Sequence, residues 1–324
     1  MSKHGLVGAA AAICVALGLA APAAAEWPND KPIRVLVGFG AGGGTDIVAR
    51  IVAVPLSELL HQAVVVENKP GAGGTIAGDV VAKADKDGYT ACMISTGHAV
   101  SAMMVKSVRY DAVKDFAPVA RIADSTFVVV ARKDFPANDV RGLVALAKKT
   151  PGRLNFGTVS VGSTQHFASE LLKQMSGVDV KIVQYRQTPQ LITALLAQES
   201  DFGIDLLHTV RGQVEAGQLK LLAVGSSKRV ASLPNVPTVA EQGLPGYEVE
   251  GWYGFVYPAG TPKAIVDRTN AALKDILARP QIQEQLAKAG ALAHYSTPAE
   301  FNTLIAGDVA KWKAVRDKAG LEPQ

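Results

Sequence analysis

The chain reads as an α/β protein with largely parallel sheets. Two observations predict this class. Short β-rich apolar runs alternate along the chain with stretches in which apolar residues recur at helical spacing. Five of the runs also end in small or polar residues, at 38–46, 70–75, 95–98, 158–164 and 205–208. Ligands of open α/β sheets bind beyond the carboxyl ends of the strands, so five such ends predict one cleft.

The first strand is Ile33 to Val37. Gly38, Phe39, Gly40, Ala41, Gly42, Gly43 and Gly44 follow, then Thr45 and Asp46. Ile47, Val48, Ile51, Val52, Leu56 and Leu59 next recur at helical spacing. Thr45 is placed to cap this helix, and Asp46 to sit in its first turn, where negative charge is favourable. Glycines let the N–H groups of the loop converge with no Cβ in the way. A helix start with bare N–H groups before it is an anion site, so the loop is read as holding an anion, above all a carboxylate. Two other readings stand beside it: a turn that serves packing alone, and a dinucleotide fingerprint. In the second, Gly38, Gly40 and Gly43 fit G-x-G-x-x-G and Glu67 supplies the ribose-binding acid. No Lys-Ser or Lys-Thr follows the glycines, which excludes a Walker A loop.

Ala63 to Glu67 is the second strand, and a second glycine loop follows it, Asn68 to Thr75, with Gly71, Ala72, Gly73 and Gly74 at its centre. A helix then runs from about Ile76 to Lys83. A dinucleotide fold carries ribose contacts here and no second phosphate-type loop, so two helix starts aimed at one cleft is the better account. Asp87-Gly88 turns the chain into a strand, Tyr89 to Ile94, which ends at Ser95-Thr96-Gly97-His98. The β-branched run Thr126 to Val130 suits a strand crossing between domains. Val140 to Lys149 is a helix broken by Pro151-Gly152. Strand Asn155 to Val159 opens into the loop Ser160 to Thr164 and a helix, Gln165 to Met175, stopped by Gly177. Next come strand Val180 to Tyr185, helix Pro189 to Gln198, strand Asp201 to Leu206, helix Val210 to Ala216 and strand Leu219 to Gly225. A short helix is expected at Val239 to Gln242. Glu248 to Tyr257 is the second crossing strand, and helices Lys263 to Leu277, Gln281 to Ala289 and Pro298 to Lys318 close the chain.

The first 25 residues have the order of a secretory signal peptide: Lys3 and His4, an apolar run from Leu6 to about Ala20, then Ala23-Ala24-Ala25. The run is too short and alanine-rich for a comfortable membrane span. Residues 26–324 are enough for two modest domains or one large one. Cys92 is the one cysteine after that segment, so no intramolecular disulfide forms. The formal charge of +4 comes without a basic run, which argues against nucleic acid as partner.

Nearly the whole mature chain resembles the periplasmic tripartite tricarboxylate transporter receptors, the Bug or TctC-like solute-binding proteins. The residues that carry the resemblance are Gly42-Gly43-x-Thr45-Asp46, Glu67 to Gly74, Asp87-Gly88-Tyr89-Thr90 and Asp115-Phe116-Ala117-Pro118-Val119. Leu222-Ala223-Val224 with Arg229, Pro234-x-Val236-Pro237-Thr238 and Pro258-Ala259-Gly260-Thr261-Pro262 complete the set. The resemblance implies a type II-like periplasmic binding protein: two α/β domains joined by two crossing strands, with one ligand in the cleft. Domain 1 would comprise residues 26–125 and 249–324, and domain 2 residues 126–248. It implies an organic acid or amino acid as ligand, one carboxylate held by the loops Phe39 to Asp46 and Gly71 to Thr75, membrane subunits of the transporter as partners, and a monomer. The chain departs from the family pattern in four places. Gly38 stands for proline, Ser160 for glycine, Tyr185-Arg186-Gln187-Thr188 for a Tyr-Lys-Gly-Ser/Thr loop, and Gln198-Glu199 for Gly-Gln.

No catalytic set is visible: neither H-E-x-x-H nor G-x-S-x-G occurs, and His61, His98, His166, His208 and His294 lack metal-ligand spacing. No metal, cofactor or covalent step is expected. Beyond the two glycine loops, the candidate ligand contacts are Thr96, His98, Thr158, Ser160, Ser163, Gln165, Thr188, Asp205 and His208. Asp205 either faces a ligand amine or caps the helix after it, and Arg186 either meets a second carboxylate or is solvated. The function read from the sequence is capture of a carboxylate by domain closure for transport. A ligand-presenting sensor has the same binding chemistry, and an exported Rossmann oxidoreductase fits less well.

Overall fold

The computed structural model describes residues 27–324; the signal segment falls outside them. The described chain is α/β, as the alternation requires. Strand β1 (Ile33–Val37) leads to helix α1 (Gly44–Leu60), β2 (Val64–Asn68), α2 (Thr75–Ala82), β3 (Thr90–Ser95) and α3 (Gly97–Met104). The long strand β4 (Phe116–Arg132) precedes α4 (Val140–Lys149), β5 (Asn155–Val159), α5 (Thr164–Ser176), β6 (Lys181–Tyr185) and α6 (Thr188–Leu196). Then come β7 (Phe202–Leu206), α7 (Leu207–Glu215), β8 (Leu219–Val224), β9 (Glu250–Pro258), α8 (Lys263–Leu277), α9 (Pro280–Lys288), β10 (Leu292–Ala293) and α10 (Pro298–Ala319).

The strands are joined in the order β2-β1-β3-β9-β4-β7-β5-β6, with β8 and β10 also on β4. Pairing is parallel towards both ends, β1 with β2 and β3, and β5 with β6 and β7. It is antiparallel in the middle, where β9 lies between β3 and β4. One strand therefore serves both halves. Up to Thr126, which faces Glu250, β4 pairs with β9; from Phe127, which faces Leu206, it pairs with β7. The chain returns between the halves at Gly225 and Val249: Gly225 N–H donates to Phe127 O at 2.7 Å and Val249 N–H to Gly225 O at 2.8 Å. The second crossing is thus shorter than the expected Glu248 to Tyr257. That strand pairs along its length with β3 and the first part of β4, and the crossing contact falls just before it.

Hydrophobic burial does not follow the two halves strictly. Ala99, Val100 and Met104 of α3 and Trp312 and Val315 of α10 pack into the same core as Phe156, Phe167 and Phe202. Trp312 meets Phe167 edge-on at 6.0 Å between ring centres. A second core gathers β1, α1, α8 and the Phe255–Tyr257 side of β9.

Several local expectations change for identifiable reasons. Gly43, not Thr45, is the N-cap of α1, and no side chain caps it. The Asp46 carboxylate accepts from Gly42 N–H at 2.8 Å instead. The segment Val239 to Gln242 forms turns, not a helix. The reciprocal Thr238–Glu241 bonds form a capping box that would start a helix, but Gln242 is spent on Val140 N–H and Leu222 O, and Gly243 at φ 105° stops propagation. Helix α3, directly abutting β3, is too short to show a period, and β10 has two residues.

Two departures from the family pattern acquire a physical meaning. Ser160 and Gln198, both standing where the family has glycine, have φ of 39° and 63°, a left-handed region that costs a residue with a Cβ about 1–2 kcal/mol. Ser160 is held there by its hydroxyl, which donates to Arg186 O at 2.9 Å. Gln198 is exposed and its side chain makes no hydrogen bond within the protein. Gln198→Gly is therefore expected to raise stability by about 1 kcal/mol, read as a higher urea midpoint with an unchanged slope.

Candidate functional site

The two halves enclose a cavity of about 510 Å³, within the range of small-molecule sites. Of the candidate contacts, Phe39, Gly43, Gly44, Thr45, Ala72, Gly73 and Thr96 line it from one half, and Ser160, Ser163, Gln165 and His208 from the other. Helices α1, α3 and α5 begin on its wall, at Gly44, Gly97 and Thr164. Three positive helix ends therefore face one space. No Lys, Arg, Asp or Glu side chain lines it.

The first wall is two glycine loops pressed together. A Cβ on Gly38 would collide with Gly74 Cα and lie 2.8 Å from Gly74 O. Gly73, at φ 67°, lies against Ser101 so closely that a Cβ would stand 3.0 Å from Ser101 Cβ. At Gly44 the limit is the Tyr253 hydroxyl, 2.5 Å from where a Cβ would sit. Burial raises the pKa of that phenol, against a hydrogen bond with Ser125.

Asp46 organises this wall from behind. Its carboxylate accepts from Gly42 N–H (2.8 Å), Arg50 Nε (3.0 Å) and Asn68 Nδ2 (2.8 Å). Asn68 Nδ2 also reaches Phe39 O at 3.1 Å, and Arg50 reaches Asn68 Oδ1 at 3.0 Å. Burial alone would raise the Asp46 pKa, but the bonds from Arg50, Gly42 and Asn68 outweigh it and hold the group below its usual range. The carboxylate is therefore charged at neutral pH. Its support of the loop is lost as pH falls through that depressed pKa, below 3.8.

The second wall is built at the start of α5. Ser163 is the N-cap; its Oγ accepts from His166 N–H at 3.1 Å and donates to Val159 O. The loop is fixed from beneath by His166, whose Nδ1 accepts from Gly162 N–H at 3.3 Å. Gln165 Nε2 donates to Asp205 Oδ1 at 3.2 Å, which leaves Oε1 as the free polar atom of the amide. Asp205 is fully buried and also accepts from Thr188 Oγ1 and Leu206 N–H, both at 2.7 Å. Burial raises its pKa against these bonds.

Eleven candidates stand behind the walls. Gly40, Ala41, Gly42, Gly71, Gly74 and Thr75 shape the two loops without lining the cavity, and Asp46 stabilises the first. Thr188 and Asp205 bond each other; Asp205 lies outside the cavity lining, and α7 after it has no side-chain cap. Thr158 is wholly buried, its Oγ without a hydrogen-bond partner. His98 is turned away, stacked on Tyr110 and edge-on to Phe116, with Nε2 2.9 Å from Ala112 O. Arg186 belongs to a shallow depression elsewhere on the surface. Glu67, the would-be ribose acid, is taken in a fork by Arg34 at 2.7 and 2.8 Å. Among residues that sequence reasoning missed, Met104, Val105, Phe127, Val161 and Trp252 give the cavity an apolar side. Met104 and Val105 carry no local signal; Phe127 and Trp252 lay in the recognised crossing segments.

Comparison with known proteins identifies the family. The family profile described as the tripartite tricarboxylate transporter family receptor matches residues 48–321. The chain belongs to this family. Protein BugT of Bordetella pertussis is 31% identical over 307 residues, 94% of either chain. A protein from the tcbD-tcbE intergenic region of Pseudomonas sp. is 36% identical over 284 residues, 87% of this chain and 84% of that one. Among solved structures, R. palustris Rpa4515 with adipate is 33% identical, with a TM-score of 0.79 over 92% of this chain and 100% of that one. MatC from Rhodopseudomonas palustris with bound malate is 31% identical, with a TM-score of 0.74 over 88% of this chain and 98% of that one. The family is one of solute-binding receptors, not enzymes.

Burial lowers the His98 pKa to about 4, against the bond to Ala112 O. A histidine with a depressed folded pKa costs stability as pH falls from its unfolded value near 6.5 to its folded one, the unfolded chain binding the extra proton. His98→Gln, which keeps a donor for Ala112 O, should remove most of a stability loss on the order of 3 kcal/mol between pH 7 and pH 4. Urea midpoints across that range measure it.

Proposed function

We propose that the chain is a periplasmic receptor that captures an organic carboxylate between its halves and delivers it to a tripartite tricarboxylate transporter. The single observation that carries this reading is the convergence of three helix starts and the Gly73 turn on one cavity without a charged side chain. A carboxylate there is met by oriented N–H groups and hydroxyls whose dipoles are already in place, with little reorganisation on binding. Met104, Val105, Phe127, Val161 and Trp252 provide room for a hydrocarbon body. The adipate and malate in the related structures support an acid as the ligand class.

The proposed division assigns residues 26–125 and 249–324 to domain 1 and 126–248 to domain 2, with residues 1–25 as an export signal. Ligand meets the glycine loops first, and the Ser160–Gln165 wall then closes over it by bending near Thr126–Phe127 and Gly225–Val249. Closure removes water from around the carboxylate and strengthens each contact to it. The closed monomer is the form that the membrane subunits would read. Among the described residues no helix is long and apolar enough to cross a membrane, which suits a receptor that meets its transporter from outside the bilayer. A micromolar site needs about −8 kcal/mol, which several N–H contacts to an ionised oxygen pair can supply.

A thermal-shift screen of aliphatic, hydroxy- and aromatic acids tests the reading. At a hundredfold excess over Kd, a true ligand stabilises the fold by about 2.7 kcal/mol, and its neutral amide should not. Asp46→Ala should weaken every responding acid, while Gln165→Ala should change their order. A panel in which amides stabilise as well as acids would sink the carboxylate assignment.

A further inference from the structure

His208 lines the cavity from the start of α7, in the half that carries β7 and β8. Its far side rests on the other half. A Cβ placed on Gly290, in the turn between α9 and β10, would overlap His208 Cβ and lie 2.7 Å from its Cγ and 3.0 Å from its Nδ1. Gly290 is itself left-handed, at φ 76°. One imidazole thus touches both the ligand space and the opposite half.

Neither side of this contact can give way cheaply. The turn is anchored by Gly290 N–H to Ala287 O at 3.0 Å and Ala291 N–H to Leu286 O at 2.9 Å. Leu286 and Ala291 are buried in the core with α1 and α8, and β10 is hydrogen-bonded to β4 at Asp124 and Ala123. On the other side Leu207 and Val210, flanking His208 in α7, are buried against β4 and β8. The nearest atom is Cβ, which no rotamer change moves. Added volume at Gly290 must therefore move one half against the other.

We propose that Gly290 is a positioning residue: through His208 it sets how closely the two halves approach, and so the width of the ligand space. This rests on the receptor reading for its purpose, but the contact itself does not need a ligand to act. The stop is built from an absent side chain on one half and a cavity-wall side chain on the other. A larger residue at 290 widens the cavity without replacing any residue that lines it. Glycine at 208 both opens the wall and removes the stop, whereas alanine keeps the Cβ that forms it.

The test is a distance between spin labels on Lys83→Cys, the C-cap of α2, and Lys148→Cys in α4, read by pulsed electron resonance without ligand. Cys92 is buried and stays unlabelled. Gly290→Ala should lengthen the mean distance by at least about 1 Å, the gap between overlap and ordinary carbon contact near 4 Å. Gly177→Ala is the control, because Gly177 is also left-handed, at φ 64°, with nothing within 4 Å of its would-be Cβ. It should bear the same backbone cost without the overlap, and leave the distance unchanged. Combining Gly290→Ala with His208→Gly should restore the distance, whereas Gly290→Ala with His208→Ala, which keeps the Cβ, should not. An unchanged distance in Gly290→Ala, or equal rescue by alanine and glycine at 208, overturns the proposal. The receptor reading would survive either result, since that stands or falls on acid binding.

Discussion

The cavity depends on one carboxylate that does not line it. Asp46 gathers a loop N–H, a guanidinium and an amide into one knot, and that knot lets a run of glycines hold a single shape. Glycine offers close approach but loses more backbone freedom on folding than any other residue. Gly38 and Gly74 exploit the first property, touching backbone to backbone. The Asp46 network offsets the second by fixing the loop at Gly42 and Phe39. Without it, the N–H groups at the start of α1 would point in many directions, and little of their dipole would reach one place.

The charge of the site is arranged at a distance. Carboxylate and cationic side chains sit behind the walls, paired or hydrogen-bonded, and no Lys, Arg, Asp or Glu side chain faces the cavity. An anion in such a space is held by dipoles whose own desolvation is already accounted for in the fold. A full cation in the wall would hold the acid harder but would also cost more to bury. Under the proposed delivery role, release of the acid is better served by the weaker arrangement.

Much of this was legible in the sequence. Strand-to-helix transitions with glycine between them betray themselves locally, so α1, α2 and α5 and the loops before them were placed within a residue or two. The β-branched run Thr126 to Val130 pointed to the strand that both halves share. What escaped was non-local. Nothing near His98 tells that Tyr110 and Phe116 will fold over it, and nothing near Asp205 tells that Gln165 and Thr188 will consume its oxygens. Met104 and Val105 reach the cavity because α3, too short to show a period, turns its end inward. Strand ends predict where a cleft lies, whereas the direction of each side chain is decided by packing partners far along the chain.

Trp252 joins the hinge region to the cavity wall, fully buried, with its indole N–H on Asp308 at 2.7 Å and its ring edge-on to Phe301. Trp312 is equally buried, in the core that α10 shares with α5. Of the three indoles of the described chain, these two are screened from water and Trp27 is half-buried, and Trp252 alone of the three borders the space a solute would enter. Its emission is expected to respond when that space is occupied, with no dye attached.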